Sequence, residues 1–160
     1  MNGDPAREKR PRTLTSPTMH SIDPKVMTPH FDRTDPNGAD EFFLNCVRHG
    51  DLTNAMTCFD PEAIYIDKEG QTIRGAANIE KVVANLCKMK ADITVYEHKT
   101  APVGDDLMYW LDKWTMSATD PQGAAISMKG ASANMMRKSA DGIWLWLVDN
   151  PFAAPFFADR

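Results

Sequence analysis

From Leu107 to Pro151 the alternation of apolar and polar positions reads as three long strands joined by two turns. Turn chemistry falls where hairpins need it, at Asp120-Pro121-Gln122-Gly123 and at Ser139-Ala140-Asp141-Gly142. Aromatic and β-branched residues fill the runs between, as a half-buried pleated surface prefers. Upstream the period changes to that of a helix. Ala39, Phe42, Phe43, Cys46 and Val47 form one stripe behind an Asp35-Pro36 start, and Gly50 ends it. Asp51 then caps a short second helix carrying Leu52, Ala55 and Met56 and closing on Phe59. Glu62 to Asp67 reads as a strand, Lys68-Glu69-Gly70 as a turn and Gln71 to Arg74 as a return strand. Gly75 opens a third helix, whose Ile79, Val82, Val83, Leu86 and Cys87 repeat the stripe. Ala91 to Lys99 alternates as a strand, and Pro102 to Asp106 form a loop.

Helices at the front and strands at the back predict an α+β fold, with three helices on one face of the sheet. A twisted, strongly curved antiparallel sheet wrapped over them leaves a cavity open at one end. The domain is expected over residues 32–153. Residues 1–31 hold Pro5, Pro11, Pro17, Pro24 and Pro29 among charged and small polar residues, the composition of a disordered tail. Residues 154–160 read as a C-terminal tail.

Composition adds mainly exclusions. In 160 residues, 42% hydrophobic and 25% charged content is that of an ordinary soluble domain. A formal net charge of -4 gives no attraction for nucleic acid or anionic lipid, so neither partner is expected. The basic cluster Arg7, Lys9, Arg10 and Arg12 lacks aromatics, which favours a solvated tail over a nucleic-acid arm. No apolar run is long enough to span a bilayer, no apolar segment follows the basic start, and a cytoplasmic location is the expectation. Cys46, Cys58 and Cys87 are odd in number and widely spaced, and read as buried thiols on helix faces. Metal-ligand spacings, phosphate-cradling glycine loops and nucleophile elbows are lacking, so no metal or cofactor is expected.

The period of two also sorts candidate cavity residues. Met108, Trp110, Asp112, Trp114 and Met116 share one sheet face. If that face turns inward, Asp112 lies among tryptophans with its carboxyl desolvated, the condition for an acid or base working near neutrality. If the face of Tyr109, Leu111, Lys113 and Thr115 turns inward instead, Asp112 lies in water or at an interface. Trp110 and Trp114 are core residues or ligand platforms. On the next strand Met128, Gly130, Ser132, Asn134 and Met136 make a roomy, adaptable wall. Tyr65 on the first strand joins the ligand-binding candidates. His98, alternating with Thr94 and Tyr96, is a surface imidazole or a proton shuttle. Asp149 and Asn150 end the last strand near the expected mouth, as a turn before Pro151 or as polar ligand contacts.

The chain resembles the SnoaL-like and ketosteroid isomerase-like branch of the nuclear transport factor 2-like superfamily. The resemblance rests on helix-Gly50-Asp51-Leu52-helix, Asp60-Pro61-Glu62-Ala63, Asp67 with Gly70, and Arg74-Gly75 before a helix. It continues through Trp114, Thr119-Asp120-Pro121, Gly123, Asp141-Gly142-Ile143-Trp144 and Asp149-Asn150-Pro151. It implies a cone-shaped fold with a deep apolar pocket for a small apolar molecule, and a homodimer through the outer face of the sheet. Members include isomerases, cyclases, dehydratases, hydrolases and binders without catalysis, so the fold leaves the activity open. The steroid isomerases pair an aspartate base with a tyrosine and a protonated aspartate as oxyanion donors. Set beside them, the base position falls on Asp67, which otherwise reads as a cap for its own turn. The tyrosine position falls near Phe43, which has no hydroxyl, and the second donor near Asn134, whose amide still donates. Two functions follow: a cofactor-free isomerase or hydratase acting on a small apolar carbonyl compound through Asp67, Asn134 and Asp112, or a binding or assembly module built on the same cone.

Overall fold

The computed structural model describes residues 30–157. The expected tail lies almost wholly outside the described residues. Helix α1 (Pro36–His49) begins where Asp35 accepts hydrogen bonds from the backbone N–H groups of Asn37 and Gly38, with Pro36 in the first turn. It ends at Gly50, whose φ of 72° is the left-handed cap that glycine adopts without strain. Asp51 at once caps α2 (Leu52–Met56) through the N–H of Asn54. Strand β1 (Phe59–Ile66) turns back into β2 (Thr72–Arg74), and α3 (Ala76–Lys88) follows. The chain then runs through β3 (Asp92–Val103), β4 (Leu107–Thr119), β5 (Ala125–Lys138) and β6 (Trp144–Asp149). Both expected turns form: Gly123 N–H donates to Asp120 O and Gly142 N–H to Ser139 O.

The six strands form one sheet in the order β2-β1-β6-β5-β4-β3. With the helices packed on one face, the class is α+β and the shape is the cone expected of it. Three details differ from the sequence reading. The β1–β6 pairing is parallel, so the sheet is mixed rather than wholly antiparallel. Pro102 and Val103 continue β3 instead of opening a loop, which Pro102 tolerates because β3 is an edge strand. In the expected C-terminal tail, Ala154–Phe157 coil into one turn of 3-10 helix.

The core lies between the helices and the concave face, where Val47, Ile79, Val83, Trp110 and Met136 are buried almost completely. Cys46 and Cys87 are buried on α1 and α3, and Cys58 is buried just after α2 rather than on a helix. Burial pushes the Cys46 thiol up to about 11 and that of Cys58 to about 12, which leaves both unreactive as nucleophiles near neutrality. Asp60 and Arg137 tie β1 to β5. Burial alone would raise Asp60, but the Arg137 guanidinium and the Glu62 N–H hold its carboxyl below the usual range. No helix among the described residues is long and apolar enough to cross a membrane.

Candidate functional site

A cavity of about 490 Å³ separates α1 and α3 from the concave face of the sheet, within the range of small-molecule sites. Helix α1 contributes Phe43 and Leu44, α3 contributes Val83 and Leu86, and the sheet contributes Trp114 and Trp146. The indole of Trp114 is fixed from three sides. Its Nε1 donates to Pro151 O at 3.1 Å, and its ring meets Phe152 edge-on at 6.2 Å. Across the ladder it lies against Gly130, where a Cβ would collide with the ring. Gly130 is thus a packing requirement of the cavity wall.

Into this apolar hollow project three aspartates, Asp40 from α1, Asp112 from β4 and Asp149 at the end of β6. Asp112 is 7% exposed; its Oδ2 accepts from Trp110 Nε1 at 2.8 Å, while Oδ1 has no partner among the described residues. Asp149 keeps part of its surface open, and it lines the cavity beside Tyr65, its neighbour across the parallel ladder. Burial, then the charge of Asp112, pushes Asp149 up to about 7. Asp40 is 8% exposed, and burial followed by the charges of Asp112, Asp149 and Glu41 pushes it up to about 8. Burial, and then Asp149 and Asp67, raise the Tyr65 phenol as well. Carboxyl groups facing one dry space cannot all ionise together. Burial and mutual repulsion therefore favour the protonated forms of Asp40 and Asp149.

Asn134 supplies a donor of fixed orientation. Its Oδ1 accepts the Asn150 N–H at 2.8 Å, which leaves the amide Nδ2 to donate towards the cavity that Asn134 lines. On the sheet, Asn134 pairs with Trp110 and Ser132 with Asp112, so donor and carboxylate occupy neighbouring rows of one face.

Several positions read from the sequence fall together here. Phe43, Tyr65, Asp112, Trp114, Met128, Ser132, Asn134 and Asp149 all line the cavity. The face of Asp112 is the inward one, since Trp110, Asp112, Trp114 and Met116 are all buried. Trp110 and Met136 belong to the core beneath the wall, each 1% exposed, rather than to the cavity surface.

Of the two readings of Asp67, family base position and turn cap, the structure shows the cap. Its Oδ1 accepts the N–H groups of Glu69 (3.0 Å) and Gln71 (2.8 Å), so it caps the β1–β2 turn and does not line the cavity. The neighbouring Lys68 reaches the rim instead. His98 is exposed, as its reading as a surface imidazole expects, but the alternation read for it is corrected. A bulge between Val95 and Glu97 shifts the pairing of β3 by one residue, so His98 pairs with Asp112 and leaves the face of Thr94. Its ring stacks on Trp110, with centroids 5.0 Å apart, and borders a second hollow of about 260 Å³ that Asp112 and Ser132 also line. Asp40 escaped the sequence reading altogether. The signal was available, for Asp40 stands three and four residues before Phe43 and Leu44 on the apolar side of α1.

The family profile described as a SnoaL-like domain matches residues 39–146, two thirds of the chain. The chain belongs to the SnoaL-like domain family. Solved structures of the same fold surround this SnoaL-like domain at low identity. A proposed calcium/calmodulin-dependent protein kinase II association domain from Xanthomonas campestris is 14% identical, with a TM-score of 0.66 over 80% of this chain and 99% of that one. A nuclear transport factor 2-like superfamily protein from Salmonella enterica serovar Typhimurium is 15% identical, with a TM-score of 0.63 over 76% and 92%. A proposed dehydratase of that family from Streptomyces avermitilis is 12% identical, with a TM-score of 0.60 over 69% and 88%. No curated protein matches the sequence. Identities this low establish the fold of the SnoaL-like domain and leave its chemistry to its own residues.

Proposed function

We propose that this SnoaL-like domain is an acid–base enzyme of the isomerase or hydratase type, acting on a small apolar substrate that carries a carbonyl oxygen. The observation that carries this reading is the trio of aspartates in an apolar cavity, with Asp149 pushed up to about 7 by burial and then by the charge of Asp112. A general acid or base works best with a pKa near the operating pH. Asp112, held through Oδ2 by the Trp110 indole, is the base that takes a proton from the carbon beside the carbonyl. Asn134 donates its amide N–H to the developing oxyanion. Asp149 returns a proton, either to carbon in an isomerisation or to a departing hydroxyl in a dehydration. The walls keep water from competing. No step of this scheme calls on a cofactor.

The scheme is tested by incubating the protein in D2O with 2-tetralone and with 4-hydroxy-4-phenylbutan-2-one, following the protons beside each carbonyl by NMR. The wild type is expected to exchange them, and Asp112→Asn to lose the acceleration by a factor of about 100 or more. Equal exchange by the two proteins would remove Asp112 from the mechanism.

A second reading, assembly, draws on the outer face of the sheet, where Val103 and Tyr109 are 46% and 40% exposed. Pairing of two copies through this face would cover both. Light scattering at high concentration is expected to give twice the chain mass, and a monomer there would contradict it.

A further inference from the structure

An acid, a base and an oxygen donor are supplied by Asp149, Asp112 and Asn134, all on the sheet, and one carboxyl is left over. Asp40 enters the cavity from α1, on the helical wall facing the sheet. It is more than nine-tenths buried, and its acidity is set by burial and like charges alone, with no hydrogen bond contributing. Among the described residues no donor reaches its carboxyl. Asp40 lines the cavity, so a ligand there can supply the partner that its own chain does not.

We propose that Asp40 is the recognition point for a protonated amine, and that the ligand of this cavity is an apolar, ring-bearing molecule that carries one. This rests on the small-molecule reading above and narrows its substrate class. Three features beside Asp40 support it. The cavity's electrostatics are one-sided: among the described residues its only lining cation is Lys68, which stands on the rim with a side chain 72% exposed and 3.7 Å from Glu69. A carboxylate or phosphate would meet three aspartates and no buried positive charge, whereas an ammonium relieves their mutual repulsion. Aromatic rings, those of Phe43, Trp114 and Trp146, line the same cavity, and such rings attract a cation placed over them. The acids are also spread around the cavity: among the described residues no three His, Cys, Asp or Glu side chains lie close enough to share a metal ion. Such a field fits a cation on an extended organic body better than a point ion.

The arrangement couples binding to protons. Asp40 must lose its proton to face the ammonium, so the amine's affinity rises with pH until Asp40 is ionised without help. Other titratable groups near Asp40 or on the cavity are Glu41, exposed on α1, Cys58 just after α2, Tyr65 on β1 and Lys68 on the rim, while His98 lines the second hollow behind Asp112. None of these lies on the α1 wall facing the ligand.

The test uses three probes of one shape: 2-(1-naphthyl)ethylamine, 2-(1-naphthyl)ethanol and 1-naphthylacetate. Each is titrated into the full chain between pH 6 and pH 9, with binding read by calorimetry. The amine is expected to bind roughly tenfold or more tighter than the alcohol at pH 8.5, with naphthylacetate weakest. Below pH 8 its affinity should fall by up to about tenfold per pH unit, while the alcohol's stays nearly level. In Asp40→Asn the two should bind alike, with the fold checked by circular dichroism. Equal binding of amine and alcohol by the wild type would overturn the amine assignment and leave the pocket standing. Equal loss of both ligands in Asp40→Asn would overturn the role of Asp40. No binding by any probe would overturn the amine assignment and the pocket reading together.

Discussion

At pH 8.5 the Asp40→Asn protein is expected to unfold at a clearly higher denaturant concentration than the wild type, and at pH 4 to unfold at nearly the same one. The sign follows from the carboxyl's environment. In the unfolded chain Asp40 titrates near its ordinary value of 3.8; in the fold, burial and the charges of Asp112, Asp149 and Glu41 raise it to about 8. A raised carboxyl contributes fully below the unfolded value, and its contribution is lost as pH climbs towards the folded one. The loss therefore accumulates between about pH 4 and pH 8. Each unit of difference corresponds to about 1.4 kcal/mol, so the gain in Asp40→Asn at pH 8.5 should be several kcal/mol. Asp149 adds a smaller loss of the same sign, which ends near pH 7. A protein that tolerates this destabilisation near neutrality retains the carboxyls for some other reason, the usual exchange of stability for a working site. Urea unfolding of both proteins at pH 4, 6 and 8.5 checks it, and parallel curves for the two at all three values would oppose it.

Trp110 carries the second large effect. Its ring is 1% exposed, stacked on His98 and meeting Trp146 edge-on at 5.8 Å, while its indole N–H holds Asp112. Removing the ring in Trp110→Ala should cost about 3–5 kcal/mol for lost burial and the space left behind. Trp110→Phe separates packing from polarity. Phenylalanine keeps an aromatic ring but leaves both oxygens of Asp112 without a donor, at a cost of about 1–3 kcal/mol. Denaturant unfolding ranks wild type above Phe and Phe above Ala. Should Phe match the wild type in stability while keeping its deuterium exchange, the indole N–H would have no part in setting Asp112.

Much of the fold was legible because its signals are local. The Asp35-Pro36 start, the Gly50 cap and the two hairpin turns each rest on a few adjacent residues, and each forms in the structure. The period of β4 sorted its residues into two faces but left open which turned inward; the burial of Trp110, Asp112, Trp114 and Met116 decides it. What was not legible depends on geometry between distant segments. The parallel joining of β1 to β6 brings Tyr65 beside Asp149, and no local pattern announces it. The bulge in β3 adds one residue and reverses the alternation, which carries His98 across to Trp110. Asp67 was read both as a base by family position and as a cap by its place at a strand end, and the cap is the one that forms. Asp40 has its helical spacing to Phe43 and Leu44 as a sequence signal, but its burial comes only from the closing of the sheet over α1.

The central claim is that carboxyls in this cavity keep their protons at neutral pH, and the most direct measurement is a pH titration of aspartate side-chain 13C signals by NMR. Assignment through Asp40→Asn and Asp149→Asn should identify one signal with its midpoint near 8 and another near 7. Midpoints near 4 for both would contradict the claim, because two carboxyls that ionise freely do not lie in a dry cavity facing a third.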